Sequence, residues 1–323
     1  MLTNRLALLI GVSTYDHPTI ADLPSSLLDV EEMKRVLSRH ENGDKNFECI
    51  EITAGVGSGP VTAKRIREAL KESFSTYDGE LLIYFSGHGH LEFNGGYLVT
   101  QDGEPDHPGI YMSELIDGAL KSSVRTVTML IDCCNAGALG EGAQAMSTMR
   151  DGMTILGSSL ADQASYVSPV GLSTFTGLVV GALEGGAANT RGHVNAASIY
   201  GYVDASLGEF GQRPIYKSHA RRVAPLRRCN PQCEDSLLRQ ITDWFPDQYS
   251  KFPLSRKFEE TAKEAEADKV AIFQLFKKLQ VGGLIRPVDR NQLHLYFTAM
   301  NEEEIELTEL GRFYHRLVVN ENI

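Results

Sequence analysis

Two short apolar runs each stop at a residue capable of acyl-transfer chemistry. Glu80-Leu81-Leu82-Ile83-Tyr84-Phe85 stops at Ser86-Gly87-His88-Gly89-His90, and Val127-Thr128-Met129-Leu130-Ile131 stops at Asp132-Cys133-Cys134-Asn135-Ala136-Gly137. An apolar, β-branched-rich run that ends abruptly in small or polar residues is how a buried parallel strand reads where its carboxyl end opens into a loop. Sites in open α/β sheets form at those carboxyl ends. One strand therefore carries a histidine, and the other a cysteine, to the same edge. A thiol needs a base to become a thiolate near neutral pH, and imidazole is such a base. The glycines beside them let a substrate backbone approach closely and free amides to point at a developing oxyanion.

Either residue alone would carry little weight, because free cysteine is among the most buried residue types and a lone histidine is usually structural. The pair is the signal. His90 is a rival base and Cys133 a rival nucleophile; consecutive strand side chains face opposite ways, so only one of Cys133 and Cys134 can face a cleft. Asp132 lies two residues before Cys134, so an extended backbone points both to one side. A carboxylate there pairs with Arg or Lys and opposes an acidic substrate. It could equally cap backbone amides at the strand end.

The elements that must position these residues alternate. Leu6–Val12 reads as a first buried strand. A helix over about Ser25–His40 follows, with Leu27, Leu28, Val30, Met33, Val36 and Leu37 facing inward. Phe47–Ile52 alternates as a strand, a helix runs from Val61 to about Ser75, and the His88 strand comes next. A hairpin-like piece surrounds Gly95–Thr100, and a short helix from Ser113 precedes the Cys134 strand. Leu139–Gly152 is rich in glycine and alanine and has no helical period. Thr154–Ser159 reads as another buried strand, with helices at Phe175–Leu183 and about Ala196–Phe210. This strand–helix alternation predicts an α/β fold, a mainly parallel sheet with helices on both faces. No fixed-period repeat is visible.

The chain has 323 residues, 42% of them hydrophobic, and a net charge of −11, which suits a soluble globular protein with a real core. The charge argues against a general nucleic-acid or anionic-membrane binder. No run approaches a spanning helix, Met1–Arg5 leads straight into a core strand without a signal peptide, and a cytoplasmic location is expected. Five cysteines show no disulfide-scaffold pattern. Cys229 and Cys233 lack a second Cys/His pair at ligand spacing, so zinc is not expected.

Tyr84–His90 and Ile131–Gly137 together resemble the two signatures of the caspase-like cysteine peptidases, most closely the metacaspase and bacterial branch. The resemblance covers roughly residues 1–220. It implies a six-stranded caspase-like sheet, with His88 as the base and Cys134 as the nucleophile. Asn135-Ala136 stands where relatives have His-Ser. The backbone amides of Gly89 and Cys134 are the expected oxyanion hole. Asp132, with Asp29 from the first helix, is implied to line an S1 pocket for Arg or Lys. Leu160–Tyr166 resembles a cleft wall, and Gln212–Tyr216 the closing strand. Residues 139–152 correspond to the loop where caspase-like zymogens are processed, and Arg150 is the candidate site there. The implied activity is that of a zymogen-like cysteine endopeptidase acting on protein substrates, with a defence or cell-death role. No cofactor is implied: Met112-Ser113 stand where many relatives hold an acidic calcium pair. The alternative is a silent scaffold.

Residues 221–233 read as a linker. Beyond them, Glu234–Phe245, Leu254–Ala267 and Val270–Leu279 read as helices. Leu293–Phe297 reads as a strand, and Ile305–Thr308 as its partner or as the opening of a final helix. Residues 234–323 thus look like a small, mainly helical, winged-helix-like domain. With 12 basic against 16 acidic residues, the segment has the wrong sign for reading DNA. An upstream activating or signalling protein is the expected partner.

Overall fold

The computed structural model describes residues 4–54, 59–93, 95–134, 136, 149–158, 171–207, 214–221 and 223–323. The chain forms two units, Met1–Ala188 with His193–Cys229, and Asn189–Gly192 with Asn230–Ile323.

In chain order the first unit contains β1 (Arg5–Gly11), α1 (Ser25–Ser38), β2 (Glu48–Thr53), α2 (Ala63–Thr76), β3 (Glu80–Ser86), β4 (Gly89–Glu92), β5 (Gly95–Glu104), β6 (His107–Tyr111), α3 (Met112–Lys121), β7 (Thr126–Asp132), β8 (Met153–Gly157), α4 (Thr174–Gly181), β9 (His193–Val194), α5 (Ala196–Leu207), β10 (Ile215–His219) and β11 (Arg227–Arg228). Six of the strands make one sheet in the order β10-β8-β7-β3-β1-β2. All its neighbours are parallel except β10, which runs antiparallel to β8.

Period-2 alternation sorts the side chains into two apolar layers. Leu6, Leu8 and Ile10 of β1, with Ile83, Phe85 and Met129, pack against Ile66 and Leu70 of α2 and Leu115 of α3. Ala7 and Leu9, with Leu82, Tyr84 and Leu130, pack against Val30 and Met33 of α1, Val179 of α4 and Ile199 of α5. Burial on both faces is why the central strands carry unbroken apolar runs. The expected hairpin near Gly95 is part of a separate antiparallel sheet, β4-β5-β6.

The second unit contains α6 (Asp235–Arg239), α7 (Ile241–Trp244), β12 (Lys251–Pro253), α8 (Ala267–Val281), β13 (Ile285–Pro287), α9 (Leu295–Met300), β14 (Glu304–Leu307) and α10 (Glu309–Val319). Its three strands form an antiparallel sheet in the order β12-β14-β13 over a core holding Phe245, Phe273 and Phe276. Two expectations fail here. Leu254–Ala267 is not a helix: only a 3-10 turn, Arg256–Phe258, forms, and the Glu266 amide closes a loop on the Lys257 carbonyl at 3.0 Å. After Phe258 the stretch offers no large apolar side chain to anchor a helical face. Leu293–Phe297 does not pair as a wing strand. Leu295, Thr298 and Ala299 are buried, the i, i+3, i+4 spacing of a helix face, and β14 takes β13 and β12 as partners instead.

Candidate active site

The register of the central strands sets the site. Ser86, the last residue of β3, pairs with Asp132, the last of β7, and with Gly11 of β1. His88 and Cys134 each follow two residues beyond that paired level, on adjacent strands. Both line one cavity, together with Asp29, Ser86, Asp132 and Ser173. The two loops touch: a Cβ placed on Gly89 would fall 2.0 Å from the Cys134 carbonyl oxygen, so only glycine fits there.

His88 is held at three points. Its amide donates to the Tyr15 hydroxyl at 2.9 Å, and that hydroxyl donates to the Val12 carbonyl at 3.1 Å. The Tyr15 and His88 rings lie 5.0 Å apart, and burial raises the Tyr15 pKa, keeping its proton in place. The His88 carbonyl accepts from the Val99 amide at 3.0 Å, on the sheet that starts at Gly89. Imidazole Nε2 sits 2.8 Å from the Ala21 carbonyl oxygen. A carbonyl only accepts, so Nε2 carries the proton and Nδ1 is the basic nitrogen. His90 is exposed on β4, 3.8 Å from the Glu92 carboxylate, and does not line the cavity.

The two cysteines, both past the end of β7, both line the cavity, against the expectation that only one could, and they differ in burial. Cys133 is 4% exposed and packs into the apolar core, where burial pushes its thiol well above the ordinary range. Cys134 is half-buried and faces the cavity. A thiol buried among apolar groups is inert, and the more accessible neighbour is the one placed to react. The Ser158 hydroxyl fixes the turn between them by donating to the Cys133 carbonyl at 3.1 Å.

The two aspartates meet at the base of the cavity. Asp29 lies on the inner side of α1 and is fully buried, so it is not a solvated helix residue. One of its oxygens accepts from the Ser86 hydroxyl at 2.8 Å, and the other from the Ser173 amide at 2.9 Å. Asp132 accepts from the Thr176 hydroxyl at 2.7 Å and from the Ser173 hydroxyl. Burial, reinforced by the negative charge of Asp132, pushes the Asp29 carboxyl up to about 7, and burial also raises Asp132. Ser173 is the N-cap of α4, accepting from the Thr176 amide at 3.1 Å, and so ties helix and carboxylates together. The Ser25 hydroxyl also lines the cavity and is buried with no hydrogen-bond partner among the described residues. Sequence reasoning did not find Tyr15, Ser86, Ser173 or Thr176. The one available signal was Ser173-Thr174-Phe175-Thr176 ahead of an apolar run, which reads as a helix cap.

Arg150 is placed differently from the expectation of an exposed loop residue. It is half-buried, and its guanidinium donates to the carbonyls of Ala119 at 2.9 Å and Val124 at 2.5 Å, at the carboxyl end of α3. Ala119 lies in the last turn of α3, where a cation is favoured, and Val124 in the turn that follows it. Residues 139–148 of the expected processing loop, Leu160–Tyr166, and Gln212-Arg213 of the closing segment lie outside the described residues. The Cys229 thiol donates to the Leu183 carbonyl at 3.3 Å and the Cys233 thiol to the Lys278 carbonyl at 3.4 Å, as buried core residues do. Among the described residues no group of His, Cys, Asp or Glu could hold a metal ion.

With that geometry in place, the Caspase domain family matches residues 4–224. The chain belongs to the caspase-domain family. Caspase-1 from Spodoptera frugiperda is 15% identical with a TM-score of 0.47, the alignment covering 70% of this chain and 90% of that one. A Geobacter sulfurreducens protein is 14% identical with a TM-score of 0.50, covering 70% and 99%. The pro form of the Spodoptera caspase is 13% identical with a TM-score of 0.46, covering 68% and 93%. At 14% identity the likeness to the Geobacter protein speaks to the fold alone. A search of curated proteins finds no match. Membership in the caspase-domain family supports a cysteine-peptidase-like function and protein substrates. No helix among the described residues is long and apolar enough to cross a membrane.

Proposed function

We propose that the protein is a cysteine endopeptidase that cuts after Arg or Lys, with Cys134 as nucleophile and His88 as base. One observation carries the proposal: His88, Cys134 and the carboxylates of Asp29 and Asp132 line a single cavity. His88 Nδ1 takes the Cys134 proton, and the thiolate attacks the carbonyl carbon of the scissile bond. The C–S bond forms as the C–N bond breaks, and the imidazolium gives its proton to the leaving amine. Water then hydrolyses the thioester, with His88 again as base. The Gly89 and Cys134 amides are the proposed donors to the oxyanion. A P1 guanidinium or ammonium between Asp29 and Asp132 would relieve the repulsion that adds to burial in raising the Asp29 pKa, whereas a P1 carboxylate would add to it. The Ser25 hydroxyl is a further acceptor for such a cation.

The cavity amounts to about 30 Å³, room for a water and less than a guanidinium needs. That supports a latent form that opens on activation. Cleavage after Arg150 would first have to release its anchorage to α3, so the expected route is processing elsewhere in residues 139–149 or after that anchor has let go. The second unit, which we read as winged-helix-like, exposes Leu293, Tyr296, Phe297, Leu310 and Phe313. Such a surface favours a docking role for residues 234–323, within an enzyme or in a silent scaffold. A chloromethyl ketone with arginine at P1 tests the proposal by intact-mass and peptide mapping. The expected result is one adduct on Cys134. An adduct on Cys133, or equal labelling by an aspartate analogue, would overturn it.

A further inference from the structure

His88 walls two cavities. Besides the one it shares with Cys134, it lines a separate cavity of about 400 Å³. Among the lining residues, it is the only one common to the two. The second cavity is mainly apolar: Ile20 and Ala21 come from the loop after β1, Val99 from β5, and Pro105 and Pro108 from the β5–β6 turn. Its one carboxylate, Glu104, is exposed at that turn, and His90 of β4 also lines it, its ring 3.8 Å from the Glu92 carboxylate. The same contacts that hold the imidazole hold these walls, since Ala21 accepts from Nε2 and the Val99 amide binds the His88 carbonyl.

We infer that this cavity is a primed-side subsite that selects a large apolar residue, such as Leu or Met, directly after the scissile bond. The inference rests on the peptidase reading above. The imidazole that protonates the leaving amine must lie beside that amine, so the chain bearing the amine departs over the His88 side of the site. P1 and P1′ side chains of an extended peptide point to opposite sides. With P1 in the Asp29/Asp132 cavity, the cavity beyond His88 is the one among the described residues that adjoins the leaving side. Its size falls within the range of formed ligand sites, and its apolar lining rewards a methylene-rich side chain. Glu104 at the rim repels an acidic P1′.

The test uses the Cys134→Ala protein, intact and after limited trypsin treatment, with fluorescent peptides that differ only at P1 and P1′: Arg-Leu, Arg-Gly, Arg-Asp and Ala-Leu. Dissociation constants are measured by anisotropy. The expected order is Arg-Leu tightest and Arg-Gly about tenfold weaker, the step a missing apolar side chain makes in a pocket. Arg-Asp should be weaker again, and the surface change Glu104→Arg should bring Arg-Asp above Arg-Gly. Binding that needs Arg but is indifferent to Leu, Gly and Asp would overturn the subsite and leave the peptidase reading standing. Ala-Leu binding as tightly as Arg-Leu would overturn the basic P1 pocket while supporting the apolar subsite. No binding of any peptide by the trypsin-treated protein would overturn both.

Discussion

The two units handle buried polar groups in opposite ways. In the first, Asp29, Ser86, Ser158, Ser173 and Thr176 are buried together at one edge of the sheet, and most bond to one another or to Asp132. In the second, buried polar side chains are scattered singly: His315 Nε2 donates to the Phe245 carbonyl at 2.8 Å, Glu259 lies 3.6 Å from Lys277, and the Glu259 and Glu303 Oε2 atoms are buried with no hydrogen-bond partner among the described residues. Scattered single groups, most of them with a local partner, are what stable packing tolerates. A cluster in which one carboxyl is pushed up to about 7 by burial and a second carboxylate costs stability. Such groupings collect where a ligand is to be held. The difference separates a unit shaped by a site from a unit shaped by packing.

Five substitutions test that contrast. The largest effect is expected from Cys134→Ala, which should lower turnover of an Arg peptide at least about 10³-fold, with the melting temperature unchanged. Cys133→Ala should do the reverse, keeping turnover and losing about 1 kcal/mol from the core cavity it leaves; urea denaturation and kinetics on both proteins check this. Asp29→Asn should cost about 10²-fold in kcat/KM for Arg peptides. It should also stabilise the first unit at pH 8. The folded Asp29 pKa lies above its ordinary value of 3.8, so its folded form holds a proton that the unfolded chain releases. Its contribution to stability therefore falls as pH rises from about 4 to about 7 and stays lost above that, on the order of 4 kcal/mol at most. Melting temperatures at pH 4 and pH 8 should show the stabilisation at pH 8 only. Wild-type kcat/KM for an Arg peptide should rise as pH passes through about 7, where Asp29 ionises, and Asp29→Asn should remove that limb.

Tyr15→Phe removes the acceptor of the His88 amide and should lower kcat about tenfold with KM little changed. His315→Leu should have the smallest effect on turnover, within about twofold. It leaves the buried Phe245 carbonyl unpaired, so calorimetry should show the second unit losing about 1–3 kcal/mol.

The parallel strands were legible because burial on both faces leaves long apolar runs, and His88 and Cys134 because each run ends where a site opens. Asp29 was a different case. Nothing in Leu27-Leu28-Asp29-Val30 separates a buried carboxylate from a solvated one, and only its place in a resembling family pointed to it. Ser86, Ser173 and Thr176 were invisible because their partners are remote in sequence. Arg150 looked like an open-loop residue because the carbonyls that hold it belong to α3 and the turn after it, far upstream. In the second unit, Leu293–Phe297 alternates for too few residues to distinguish a strand from the first turn of a helix.

The most direct test of the central claim is steady-state turnover of matched peptides ending in Arg, Lys or Asp before a fluorogenic leaving group, by wild type, Cys134→Ala and Asp29→Asn, before and after limited trypsin treatment. The account predicts Arg or Lys turnover that vanishes in Cys134→Ala and falls about 10²-fold in Asp29→Asn. Turnover of the Asp peptide, or Arg turnover that survives in Cys134→Ala, would contradict it.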